Sequence, residues 1–267
     1  MLFDSHAHLD DERFDGDREA LIESLPERGI SYVLNAGADL ASSGRAVRLA
    51  EKYDFIYASV GIHPHDAVGM EDGDLETLAK MAKHPKVVAI GEIGLDYYYD
   101  NSPRDVQRQR FADQLELSAK AGLPVIIHDR DAHGDTLDIL KAHRSTLKGC
   151  VLHCYSGSWD MAKVLLDMGF FLSIGGPVTF KNSVKTVEIA GKVPLDSLLI
   201  ETDSPYLTPH PYRGQRNDPG MVQLVAERIA EIRGMEISEL ARVTLENACR
   251  FFGIRQRTET SGTSPGR

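Results

Sequence analysis

Cysteine is scarce in this chain: Cys150, Cys154 and Cys249 are too few, and odd in number, for a disulfide framework. A reducing, cytoplasmic compartment is therefore expected, with Cys150 and Cys154 as small core residues rather than ligands. Positive charge is also in deficit, with 30 lysines and arginines against 40 aspartates and glutamates and a formal charge of −10. That balance excludes a broad basic surface for coating duplex DNA or anionic membrane, but not a local cationic cleft. No apolar run approaches the ~20 residues that span a bilayer. The N-terminus shows neither the basic nor the apolar segment of a secretory signal, so no membrane association is expected. No Gly-x-Gly-x-x-Gly follows an apolar run, which argues against an open, doubly wound nucleotide-binding sheet.

What the 267 residues do contain is a regular alternation. Short runs rich in Val, Ile and Leu, bounded by glycine or proline, read as buried parallel strands at 2–6, 32–36, 55–61, 87–92, 125–128, 150–154, 170–174 and 198–202. Amphipathic stretches separate them. In 104–122, Phe111, Leu115 and Ala119 recur at helical spacing before Gly122; in 158–169, Met161, Val164, Leu165 and Met168 precede Gly169. Two further helices are expected near 218–233 and 236–252. Eight strand-then-helix units without a long linker predict an α/β fold, a single (β/α)8 TIM barrel over residues 1–254. The polar, aperiodic tail 255–267 is expected to be disordered.

Metal-capable side chains gather where these runs end. FDSHAHLD (3–10) places His6 and His8 on one face of the first strand, because strand side chains alternate with a period of two. Glu92 closes the fourth run (AIGEIGLD), His128 the fifth (PVIIHDRD) and His153 the sixth (CVLHCYSG), and Asp203 follows the eighth (LLIETDSP). In a barrel these positions share the C-terminal rim, where active sites are built. A lone histidine or acid at a strand end is commonly a hydrogen-bonded or capping group. His128 and His153, however, follow apolar residues where an unpaired imidazole is expensive to bury. One shared metal centre explains all six.

Six protein ligands exceed the four of a closed zinc site and suit two ions joined by a bridging carboxylate. The expected bridge is Glu92, with His6, His8 and Asp203 on one ion and His128 and His153 on the other. Two ions ~3.5–4 Å apart polarise an ester oxygen, lower the pKa of water and neutralise leaving-group charge, which is hydrolysis, most naturally of a phosphodiester. Glu92 and Asp203 are the expected catalytic carboxylates, Asp203 being placed to orient the water. Four imidazoles favour Zn2+ or Mn2+ over Mg2+.

These residues resemble the TatD family of metal-dependent deoxyribonucleases, within the amidohydrolase-like barrels. The blocks that carry the resemblance are LFDSHAHLD (2–10), VGIHPH (60–65), IGEIGLDYY (90–98), PVIIHDRDA (124–132), LHCYSG (152–157), LLIETDSPYLTP (198–209) and PYRGQRN (211–217). The resemblance implies a two-metal barrel that hydrolyses DNA, 3′→5′ exonuclease activity on single strands, and magnesium as a frequent activating ion. It assigns metal roles to His6, His8, Glu92, His128, His153 and Asp203. One departure is visible: Gln215 stands where the family commonly carries a lysine, removing one expected phosphate contact. Glu92 also separates the chain from barrel relatives bridged by a carboxylated lysine.

A phosphodiester needs further donors. His63, and behind it His65, straddle Pro64 at the end of the third run, while Arg130, Arg213 and Arg216 are placed to hold phosphates bidentately. Tyr155 and Tyr97 are candidates to stack on a base or donate a hydrogen bond. His84, His133, His143 and His210 are expected to make local contacts. A few phosphate contacts plus two dications suit single-stranded DNA ends better than long duplex. A monomer is expected, with no obligate protein partner. Two other functions stay open: a two-metal hydrolase of another ester or amide, such as a lactone or aminoacyl-tRNA, and a non-catalytic metal-binding barrel with a closed coordination shell.

Overall fold

The structure, a computed structural model, describes residues 1–256. Its first half runs β1 (Leu2–Ala7), α1 (Arg18–Ser24), β2 (Ile30–Ala36), α2 (Leu40–Lys52), β3 (Ile56–Val60), α3 (Asp72–Met81), β4 (Val87–Asp96) and α4 (Arg104–Ala121). The second runs β5 (Val125–Arg130), α5 (His133–His143), β6 (Cys150–Leu152), α6 (Trp159–Asp167), β7 (Phe171–Ile174), α7 (Val184–Lys192), β8 (Leu198–Ile200), α8 (Val222–Arg233) and α9 (Ile237–Phe252). The eight strands pair in sequence order, all parallel, as a TIM barrel requires. An open doubly wound sheet would reverse its strand order. No helix among the described residues is long and apolar enough to cross a membrane. The expected tail lies, from 257 onward, outside the described residues.

Core packing falls into two parts. One large cluster joins the outward faces of the strands to the surrounding helices, through residues such as Ile22, Val60, Phe111, Leu165 and Ile229. A second joins Phe3, Leu34, Val88, Ile126, Val151 and Leu199 near the strand starts to Phe251, Phe252 and Ile254. The end of α9 thus plugs the N-terminal mouth of the barrel, leaving polar side chains at the other mouth.

Two boundary differences bear on the site. β4 runs to Asp96 instead of stopping at Glu92, because Ile93, Gly94, Leu95 and Asp96 stay paired with Ile127, His128, Asp129 and Arg130. β6 ends at Leu152 and β8 at Ile200, so His153 and Asp203 lie in the turns beyond.

The barrel closes between β8 and β1 with few ladder bonds. One isolated bridge pairs Ala7 with Ser204, and Asp203 N–H donates to His6 O (2.9 Å) and His8 N–H to Ser204 O (2.7 Å). Side chains supply the rest. Ser5 Oγ donates to Ile200 O (2.9 Å), and the fully buried Asp4 carboxylate accepts Thr202 N–H (2.8 Å) and Thr202 Oγ1–H (2.6 Å). Asp4→Ala leaves both buried donors unpaired, at about 1–3 kcal/mol each. Urea unfolding of that variant should show a loss of about 2–4 kcal/mol; a change below about 0.5 kcal/mol would mean the closure does not depend on Asp4.

Candidate metal centre

The centre is built around a distortion of β4. Pairing with β5 shifts register between Ile90 and Ile93, and the glycines on either side of Glu92 permit it. A Cβ on Gly91 (φ 155°) would meet Ile126 Cβ at 2.7 Å, and one on Gly94 (φ 144°) would lie 2.0 Å from the His128 carbonyl oxygen. Only glycine tolerates that approach. Glu92 N–H leaves the ladder and donates to Gly37 O (2.8 Å) beyond β2, and its carboxylate enters the barrel mouth, 3% exposed.

Five imidazoles meet that carboxylate. Oε1 is 2.7 Å from His128 Nδ1, 2.8 Å from His153 Nε2 and 3.4 Å from His63 Nε2. Oε2 is 3.3 Å from His6 Nε2 and 3.6 Å from His8 Nε2. Asp203 joins the second group, its Oδ1 3.9 Å from His6 Nε2 and 3.6 Å from His8 Nε2. Its backbone is left-handed (φ 56°), a conformation Asp tolerates better than most residues. The rings of His6 and His153 stack at 4.1 Å, joining the two groups. All six expected ligands therefore occupy one neighbourhood.

The donor atoms fit cations. His6 Nε2 and His8 Nε2 face each other at 3.2 Å, and His128 Nδ1 and His153 Nε2 at 3.3 Å. A neutral imidazole offers one donor and one lone pair, so paired inward lone pairs call for a shared positive charge. Outer partners set which nitrogen faces inward. His8 Nδ1 sits 3.0 Å from Ala36 O, His128 Nε2 3.0 Å from Asp96 Oδ2, and His153 Nδ1 3.4 Å from Glu201 Oε1. For His8 and His128 these hydrogen bonds place the proton outward and the lone pair inward, as in metal-bound histidines; His153 Nδ1 faces Glu201 without a hydrogen bond.

His63 is arranged the other way. Its Nδ1 accepts the His65 N–H (3.1 Å), so in the neutral ring Nε2 carries the proton, 3.4 Å from Glu92 Oε1. It also lies within 4.8 Å of Glu92 and His128 as a possible ligand group, but the tautomer makes it a donor.

Electrostatics follow this geometry. Burial opposes the Glu92 charge, yet His153, His63 and His128 outweigh it and hold the carboxyl well below its usual range. Burial likewise opposes protonation of His8, but before a cation binds Asp203 and Glu92 hold it up at about 9, so its inward nitrogen carries a proton that a bound cation would displace. Burial, then His128, pushes His63 down to about 4, so that ring is neutral near pH 7.

Of the expected substrate contacts, His63 is in the centre and Arg130 is exposed at the end of β5. Tyr155 is not available: it is 4% exposed in the core, and its hydroxyl donates to Ser158 O (2.8 Å). Tyr97 is half-buried, with its hydroxyl on Asp135 (2.6 Å). Arg216 is committed to Asp17 through two bonds (2.7 and 2.6 Å), tying the loop after β8 to the loop after β1. Arg213 is exposed, its guanidinium 3.9 Å from the Phe180 ring centroid. His84, His133 and His143 make the local contacts expected of them, to Glu51, Asp129 and Ile139 O.

Sequence reasoning misses three buried acids. Asp4 ties the seam, Asp96 holds His128 and His65, and Glu201 faces His153 and accepts the Cys154 N–H (2.6 Å). For Asp96 and Glu201 the signal was an acid closing an apolar run, in IGLD and LLIE, where an unpaired carboxylate is expensive to bury.

A family model described as TatD related DNase matches residues 3–253. The chain is 48% identical over 254 residues to the uncharacterized metal-dependent hydrolase YabD of Bacillus subtilis, covering 95% of this chain and all of that protein. It is 33% identical over 259 residues to the 3'-5' ssDNA/RNA exonuclease TatD of Shigella flexneri, covering 95% of this chain and 99% of that one. The crystal structure of YJJV, a TatD homolog from Escherichia coli K12, superposes with a TM-score of 0.90 at 33% identity, covering 95% of this chain and 98% of that one.

Divalent cation binding predicts thermal stabilisation. At about a hundredfold excess over Kd, Zn2+ or Mn2+ adds about 2.7 kcal/mol, on the order of 5–10 °C in Tm for a chain of this size. Thermal melts of EDTA-treated protein test this; no shift with Zn2+, Mn2+ or Mg2+ would contradict the metal reading.

Proposed function

The chain belongs to the TatD-related DNase family, and on that premise we propose that it hydrolyses phosphodiester bonds of DNA as a two-metal 3′→5′ exonuclease on single-stranded ends. The observation that carries the reading is the division of the Glu92 carboxylate, one oxygen toward His128 and His153, the other toward His6 and His8. A bridging ligand needs that arrangement. His6, His8 and Asp203 would hold one cation, His128 and His153 the other, and Glu92 would contribute to both. Zn2+ and Mn2+ suit the donors, and Mg2+ is the proposed activating ion.

When bound, the pair of cations supplies polarisation of the phosphoryl oxygen, a lower pKa for the attacking water and charge neutralisation at the leaving group. The chain's own residues do the positioning. Asp203 is held below the usual carboxylate range, because His8, His153 and His6 outweigh the effect of its burial. It is therefore a hydrogen-bond acceptor that aims the attacking water rather than a strong base. His63 Nε2–H donates to a non-bridging oxygen of the reacting phosphate. Arg130 and Arg213, both exposed, take neighbouring phosphates.

Resemblance to a relative named for single-stranded DNA and RNA supports the substrate class, and the net charge of −10 disfavours wrapping duplex. The proposed unit is a monomer whose catalytic domain spans 1–254. Three free cysteines suit a reducing cytoplasm.

A 5′-labelled single-stranded oligonucleotide should shorten from its 3′ end with Mg2+, Mn2+ or Zn2+, beside a panel of small esters. Glu92→Ala should cut that rate at least about a hundredfold while far-UV dichroism stays native. Intact oligonucleotide with a consumed lactone would overturn the nuclease reading, and near-normal turnover by Glu92→Ala the bridging role.

A further inference from the structure

Tyr98 and Tyr99 follow β4 on the rim and are the two most exposed aromatic side chains among the described residues, at 59% and 54%. Aromatic surface gains from burial, so two adjacent rings left in solvent beside a reaction centre mark a place where something docks. The rings meet edge to face, 4.9 Å apart at 89°. Arg130 lies against both, its guanidinium carbon 4.1 Å from the Tyr98 centroid and 4.8 Å from the Tyr99 centroid. Cation–π contact holds that planar cation in place. Among the described residues its guanidinium makes no hydrogen bond or ion pair, so its N–H donors remain available.

This group is fixed to the metal centre through one carboxylate. The N–H groups of Tyr98 and Tyr99 donate to Asp96 Oδ1 (3.0 and 2.9 Å), while Asp96 Oδ2 accepts His128 Nε2 (3.0 Å) and His65 Nε2 (2.9 Å). The Tyr99 ring also stands edge-on to His65 at 5.3 Å. Buried Asp96 is therefore a shared anchor for a candidate metal ligand and for the turn that presents both tyrosines. Three other tyrosines near the rim are engaged, Tyr97 with Asp135, Tyr155 with Ser158, and Tyr206 with Asp11 beneath Arg13; Tyr212, in the loop after β8, is exposed but less so, at 43%.

Resting on the nuclease reading above, we propose that Tyr98, Tyr99 and Arg130 form a docking subsite for one unpaired nucleotide next to the scissile bond. Its base stacks on the exposed tyrosine surface, and its phosphate takes the Arg130 guanidinium. A base within duplex has both faces covered by its neighbours, so this subsite selects single strands. Stacking reads no particular base edge, so the preference is tolerant of sequence.

The test compares the parent enzyme with Tyr98→Ala/Tyr99→Ala and Tyr98→Phe/Tyr99→Phe on a single-stranded oligonucleotide and on methyl p-nitrophenyl phosphate, a diester with no base. The alanine pair should lower the ratio of the two kcat/KM values by about tenfold or more, chiefly through KM on the oligonucleotide. The phenylalanine pair, which keeps both rings, should hold the parental ratio within about twofold. An unchanged ratio in the alanine pair, or an equal loss in the phenylalanine pair, overturns the subsite while the nuclease reading stands. A parent enzyme that cleaves the small diester and spares the oligonucleotide removes the nuclease reading, and the subsite with it.

Discussion

The Glu92 carboxylate sits almost fully buried among five imidazole nitrogens, and the surrounding structure is arranged to make that tolerable. Burying an ion costs several kcal/mol unless its partners are well placed. Here three of the five partners are themselves held by a hydrogen bond. Ala36 O fixes His8, Asp96 fixes His128, the His65 backbone fixes His63, and Glu201 faces His153. The distorted stretch of β4, with glycine on either side of Glu92, brings the carboxylate to this position, since no side chain fits where Gly91 and Gly94 touch β5. The backbone geometry of one strand and the chemistry of the centre are thus a single constraint.

The seam between β1 and β8 serves the same end. Its regular pairing is reduced to one bridge, and Asp4, Ser5 and Thr202 close it with side chains. His6 and His8 lie on one side and Asp203 on the other, so the first group of candidate ligands assembles only when the cylinder closes. The remaining candidates arrive from β4, β5 and the turn after β6. Folding of the whole barrel therefore precedes any complete coordination shell, and side chains more than a hundred residues apart share one reaction centre.

Much of this was legible in the sequence, for a physical reason. Parallel strands buried on both faces are short apolar runs, and the points where polarity breaks in, at His6, His128, His153 and Asp203, coincide with the rim. Asp96 escapes because β4 continues past Glu92: two glycines and a charged residue interrupt the apolar run at 91–94, although Ile93 and Leu95 beyond the shift in pairing are core residues. Tyr155 and Arg216 read as substrate contacts until the fold supplies their partners, Ser158 O and the distant Asp17. In LDYYYD the sequence does not distinguish Tyr97, whose hydroxyl finds Asp135, from Tyr98 and Tyr99, which find none. Element ends and loop partners depend on tertiary neighbours, which local pattern does not contain.

Anomalous scattering from crystals grown with Mn2+ or Zn2+ bears most directly on the centre. The account predicts two peaks ~3.5–4 Å apart at the barrel mouth, one on each side of the Glu92 carboxylate. A single peak there, or cations bound only away from Glu92, would contradict it.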